Sequence, residues 1–119
     1  MSKPQKMPTE RPELQVRDAP ERERYEATVG DDQGLAALLA YRRGDDWIAL
    51  VHTEVREGYA GQGIGSRLVK AVLADLRARE IPVIPKCPFV IAWLQRHPED
   101  HDVLFRPLEA PEPDEPSPA

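Results

Sequence analysis

The apolar residues of this chain change their period once, after Glu57, and that change limits what the chain can fold into. Upstream they alternate. Tyr25, Ala27 and Val29 take turns with Arg24, Glu26 and Thr28, the period of two expected of a half-buried strand. Leu14–Arg17 reads as a short strand, Arg22–Gly30 as a longer one, Leu35–Arg43 as a more apolar one, and Trp47–Val55 as the fourth. Turns at Asp31-Asp32-Gln33-Gly34 and Gly44-Asp45-Asp46 join the three long segments into an antiparallel meander. In the last strand Ile48 and Leu50 face one way and Trp47, Ala49 and Val51 the other, which predicts a strand covered on both faces.

Downstream, Ile64, Leu68, Val69, Val72, Leu73 and Leu76 fall on one stripe of a helix predicted from about Gly65 to Arg79. Arg67, Lys70, Arg77 and Arg79 lie on or near its wet side, and Asp75 to Arg79 is a favourable i,i+4 pair. Pro82–Lys86 reads as a short strand around Val83 and Ile84. Its two prolines each remove a ladder donor, so it is expected at an edge or only partly paired. Pro88 suits a first helical position, Val90, Trp93, Leu94 and His97 recur at helical spacing, and Pro98 ends that helix. The order predicts an α/β fold with a small, mixed, mostly antiparallel sheet and two late helices.

At 119 residues the chain is one domain's worth. The prolines crowd its ends, so residues 1–13 and 107–119 are expected to lack order and 14–106 to form the domain. The net charge of −5 is uneven: the tail holds Glu109, Glu112, Asp114 and Glu115 and no cation, leaving 16 basic against 17 acidic residues elsewhere. Near neutrality gives no electrostatic footprint for nucleic acid. One cysteine excludes a disulfide framework within the chain and a cysteine zinc cluster. No apolar run approaches the roughly 18 residues of a membrane span, and residues 1–20 lack a secretory h-region, so a cytoplasmic location is expected.

The densest chemical signal is Tyr59-Ala60-Gly61-Gln62-Gly63-Ile64-Gly65-Ser66, set between the apolar strand and the amphipathic helix. Three alternate glycines let backbone N–H groups approach a ligand, and a helix N-terminus follows, a combination that suits phosphate. A flexible connection is the plainer reading. A nucleoside-triphosphate loop requires Gly-Lys-Ser/Thr, whereas Gly65 precedes Ser66-Arg67. The dinucleotide fingerprint fails too, since Ser66 occupies its last glycine and Lys86-Cys87 ends the next strand in place of an acid.

The runs His52-Thr53-Glu54-Val55, Gly61-Gln62-Gly63-Ile64-Gly65-Ser66-Arg67-Leu68 and Pro85-Lys86-Cys87-Pro88-Phe89, in this order, resemble the GNAT superfamily of N-acetyltransferases. More narrowly they resemble its small YjdJ-like branch, over roughly residues 14–104. The resemblance implies acetyl-CoA as ligand and an amine as acceptor. It places the pyrophosphate on the N–H groups of Ala60, Gly61, Gln62, Gly63, Ile64, Gly65 and Ser66, and the pantetheine along the strand ending at Glu54-Val55, where the family's sheet splays open. Ala60 stands where the wider superfamily usually has Arg or Gln. Only turns separate the early strands, where larger members insert helices that shape the acceptor site.

Acetyl transfer to an amine needs a proton acceptor and donors for the developing oxyanion. His52 and Glu54, two apart on a strand end, share a face, and either suits the role of base. Cys87, just before the second helix, is the candidate for a covalent route or for contact with the cofactor thiol. Convergence of His52, Glu54 and Cys87 on one thioester position is the expectation that favours an enzyme. A CoA- or acyl-CoA-binding module without turnover is the alternative. His97 and His101 are four apart, but Pro98 breaks the helix that would align them, so no metal site is expected.

Overall fold

The computed structural model describes residues 14–29, 34–59 and 61–108. Five strands form one sheet in chain order: β1 (Leu14–Ala19), β2 (Arg24–Val29), β3 (Leu35–Arg43), β4 (Ile48–Val55) and β5 (Val83–Pro85). The first four pair antiparallel, and β5 runs parallel to β4 over three residues. A parallel neighbour needs a crossover, which α1 (Ile64–Arg79) supplies. Helix α2 (Pro88–Gln95) follows β5, and a 3-10 helix (Pro98–Val103) follows α2. The predicted mixed, mostly antiparallel sheet with two late helices is the architecture observed. Residues 1–13, the turn at 31–33 and the tail from 109 lie outside the described residues. Pro107 and Leu108 are described, and Leu108 packs half-buried against the core.

The apolar stripe of α1 is buried along its length: Ile64, Leu68, Val69, Val72, Leu73 and Leu76 are all at most 1% exposed. They pack with Tyr25, Ala27, Ala37, Leu39, Tyr41 and Leu50 from one face of the sheet, and Val90, Trp93 and Leu94 of α2 join the same core. Truncating one of these leucines to alanine removes about 2–5 kcal/mol of stability in cores of this kind. Helix α1 ends on Glu80 in a left-handed conformation, φ 58°, whose N–H donates back to Arg77 O.

Polar side chains anchor α1 at its far end. Tyr25 Oη donates to Asp75 Oδ2 at 2.6 Å, Tyr41 Oη to Asp18 Oδ1 at 2.6 Å, and Arg79 Nη1 reaches Asp18, Asp75 and the Tyr25 hydroxyl at 3.0–3.1 Å. The predicted Asp75–Arg79 pair is therefore part of a link from helix to β1 and β2. Burial and the hydrogen bond to Asp75 both push the Tyr25 hydroxyl well above its ordinary range.

The other face of the sheet differs from expectation. Ile48, Ala49 and Leu50 are buried, but His52 and Glu54 are exposed, so only the first half of β4 is covered on both faces. The pairing with β3 slips between Ala40, opposite His52, and Tyr41, opposite Leu50, leaving Val51 as an extra residue. Such a bulge reverses which way the following side chains point. Leu50 shares the helix-covered core with Tyr41, while His52 and Glu54 turn to the open face.

Two carboxyls lose stability in acid. Burial alone would raise Glu26, but hydrogen bonds from Arg22 and Arg24 outweigh it and hold the carboxyl below its usual range. Asp75 is likewise depressed, with burial opposed by Tyr25 and Arg79. A depressed native pKa contributes stability that is complete above the unfolded value, about pH 4, and is lost as pH falls through the native value. Denaturant midpoints are expected to fall between about pH 5 and 3. Glu26→Gln, less stable at neutral pH, should show a flatter acid limb; a wild-type midpoint constant over that range would contradict the assignment.

Candidate active site

The site begins where β5 stops following β4. The two strands pair only at Ile48–Val83, Ala49–Ile84 and Leu50–Pro85. Leu50 O then accepts two bonds, from Lys86 N at 2.8 Å and Cys87 N at 2.9 Å. Pro88, with no N–H to donate, starts α2. Strand β4 continues to Val55 with no strand on that side among the described residues. Arg56 N donates to Ala36 O at 2.8 Å, so the antiparallel alternation aims the N–H and C=O groups of Thr53 and Val55 away from β3, into the opening.

The glycine loop follows directly. Gly61 and Gly63 have φ of 82° and 72°, the left-handed region that favours glycine, and an ideal Cβ at either would meet nothing within 4 Å. Backbone sign, not crowding, requires glycine there, and the space above the loop is open. Gly63 caps α1 without a side-chain bond, and the first helical bond runs from Arg67 N to Gly63 O at 3.1 Å. The N–H groups of Ile64, Gly65 and Ser66 thus have no partner within the helix and lie at its positive end. Gln62 Nε2 donates back to Gly58 O at 3.4 Å. Ala60 lies outside the described residues.

Two contacts absent from the sequence reading lock this loop against α2. A Cβ on Gly65 would stand 3.0 Å from Phe89 Cζ and 3.4 Å from Val55 Cγ2, so the small residue lets the Phe89 ring lie across the start of α1 and the end of β4. Trp93 Nε1 donates to Ser66 Oγ at 2.7 Å, a bond of about 1 kcal/mol that ties the two helices. Helical spacing marked Trp93 as core, and nothing in the sequence paired it with Ser66.

His52 and Glu54 come together. Their side chains are 63% and 45% exposed, His52 Nε2 lies 3.6 Å from Glu54 Oε1, and Arg56 Nε lies 3.4 Å from Glu54 Oε2. Cys87 does not join them. It is 4% exposed, with Sγ 3.4 Å from Thr53 Oγ1. Thr53 sits between His52 and Glu54 along the strand, so its side chain, with Cys87 against it, occupies the opposite face. The three candidates therefore do not converge, because strand alternation divides them. His97 Nδ1 and His101 Nε2 are engaged with the carbonyls of Trp93 and Leu94, at 2.7 and 2.6 Å. No group of three or more potential metal ligands occurs among the described residues.

The chain as a whole, in its sequence and its fold, has counterparts among known proteins. None of the curated proteins matches the chain. The NMR solution structure of a GCN5-like protein from Staphylococcus aureus is 28% identical, over 76% of this chain and 87% of that one, with a TM-score of 0.58. The family model for GCN5-related N-acetyl-transferases matches residues 24–103, from β2 to the last 3-10 helix. On that match, the chain belongs to the GCN5-related N-acetyl-transferase family.

Proposed function

We propose that the protein is an acetyl-CoA-dependent N-acetyltransferase of the small YjdJ-like kind, and that it transfers the acetyl group directly to an amine. The observation that carries this reading is the pair of main-chain donor groups on either side of the glycine loop: the β4 edge at Thr53 and Val55, aimed away from β3, and the first turn of α1, whose N–H groups have no partner within the helix. The fit to the cofactor rests on the same atoms. The open space above Gly61 and Gly63 admits a diphosphate to the amides of residues 61–66, and the free edge of β4 offers hydrogen bonds to an extended amide chain. When bound, acetyl-CoA would supply an acetyl thioester, whose C–S bond would be exchanged for the C–N bond of the product, CoA leaving as its thiol with the proton lost by the amine.

The side chains divide the remaining work. Glu54, exposed on the open face, attracts a cationic amine. His52, 3.6 Å away, accepts on a ring nitrogen the proton the amine must lose. Strand-edge N–H groups, fixed in place before the reaction, stabilise negative charge at the carbonyl oxygen. Cys87 is buried against Thr53 and serves packing at the base of the cleft, so the covalent route has no accessible nucleophile.

Calorimetric titration with acetyl-CoA, with CoA and ADP in parallel, followed by an amine screen, tests the reading. Saturable binding with turnover supports it; binding without turnover on any amine leaves a binding module instead. Gly63→Val forces a branched side chain into a left-handed position, at a cost of about 1–2 kcal/mol, and covers the amides. It is expected to remove acetyl-CoA binding while the domain still folds. Glu54→Gln and His52→Gln are expected to retain acetyl-CoA binding and to lose about 10²-fold or more in kcat. Cys87→Ala should keep turnover and give intersecting double-reciprocal plots; parallel plots in the wild type would restore the covalent route.

A further inference from the structure

The sheet face turned away from α1 carries an arrangement that the cofactor cleft does not use. Strand register aligns side chains in two rows across it: Arg17, Glu26, Leu38 and Glu54 in one, Ala19, Arg24, Ala40 and His52 in the next. Leu38 and Ala40 form the floor between two walls. On one side stand His52 and Glu54. On the other, Glu26 accepts from Arg24 at 2.7 Å, Arg22 at 2.8 Å and Arg17 at 3.2 Å. The Glu26 side chain is 6% exposed, whereas the three arginines are 26%, 55% and 68% exposed. Glu26 is shared among three guanidiniums and Glu21 acts on Arg22 as well, so the arginines still outnumber the carboxylates around them and leave positive charge facing water on a protein whose net charge is −5. A cavity of about 470 Å³, within the range of small-molecule sites, opens over the arginine wall itself, between Gln15, Arg17, Arg22, Arg24, Glu26 and Thr28, and strand register alone extends the trough from there to β4.

A buried carboxylate that gathers three arginines fixes their guanidinium groups in place, and such groups recognise carboxylates and phosphates. The carboxylate of Glu54 stands two strand spacings away, about 10 Å. We propose that this trough is the acceptor subsite, and that it selects amines bearing an anionic group at their far end: the ammonium toward Glu54, the anion on Arg17, Arg22 and Arg24. The inference rests on the acetyltransferase reading for its purpose, but the binding it describes requires no turnover.

The test is calorimetric titration of the full chain, with saturating CoA present, with 8-aminooctanoate, 6-aminohexyl phosphate and octylamine. The first two span the trough when extended, and octylamine lacks the anion. At least one anionic amine is expected to bind about tenfold or more tightly than octylamine, and which one does so separates carboxylate from phosphate. Arg24→Gln and Arg22→Gln should each bring that ratio toward one, while Lys70→Gln, on the exposed side of α1, should preserve it. Octylamine binding as tightly as both anionic amines, no detectable binding of either anionic amine, or a ratio that survives both arginine variants overturns the proposal. Loss of the acetyltransferase reading shows separately, as absence of acetyl-CoA binding in the same protein.

Discussion

The site depends on a single carbonyl. Leu50 O takes the N–H groups of both Lys86 and Cys87, and the next residue is a proline, so the parallel ladder between β4 and β5 ends after three residues. Parallel pairing that continued would have satisfied the edge of β4 and closed the sheet. Instead the strand runs on alone to Val55, with the amides of Thr53 and Val55 aimed into the gap, and turns directly into the glycine loop. A cleft lined by main-chain groups follows from one early termination, and its donors are fixed before any ligand arrives. Such pre-positioning lowers the reorganisation that binding or catalysis would otherwise cost.

Packing holds the gap at its width. The stripe of α1 is buried against one sheet face, and Tyr25, Asp75 and Arg79 fasten its far end to β1 and β2. At its near end Gly65 admits the Phe89 ring and Ser66 accepts the Trp93 indole, so α1, α2 and the end of β4 meet around the loop. The loop can stay rich in glycine, and open above, because its neighbours are immobilised by core contacts and not by contacts of its own. The face turned away from α1 is then left to side chains alone: a histidine–glutamate pair on β4 and an arginine-ringed carboxylate on β2.

Much of this was legible in the sequence, for reasons that also mark where reading failed. The change of period after Glu57 revealed the meander and α1, because burial on one face writes itself directly into the order of residues. Alternate glycines announced the loop, Pro82 and Pro85 the weak last strand, and Pro88 the start of α2. The facing of β4 was not legible. Alternation from Leu50 puts His52 and Glu54 on the same face as Leu50, and only the extra residue Val51 sends them to the other. A bulge is a property of two paired strands, and one strand's pattern does not contain it. The separation of Cys87 from His52 and Glu54, the bond between Trp93 and Ser66, and the reach of Arg17 across to Glu26 likewise depend on paired or packed elements and not on one element's pattern.

The central claim is that main-chain groups of β4 and of the first turn of α1 make the cofactor site. Backbone amide chemical shifts of isotope-labelled protein, followed while CoA is added, test it most directly. The account predicts saturable shifts concentrated at Thr53, Val55 and residues 61–66, with the sheet face around Arg24 and Glu26 little changed. Shifts concentrated on the Arg17–Arg22–Arg24 cluster, with the amides of β4 and the glycine loop unmoved, would contradict it.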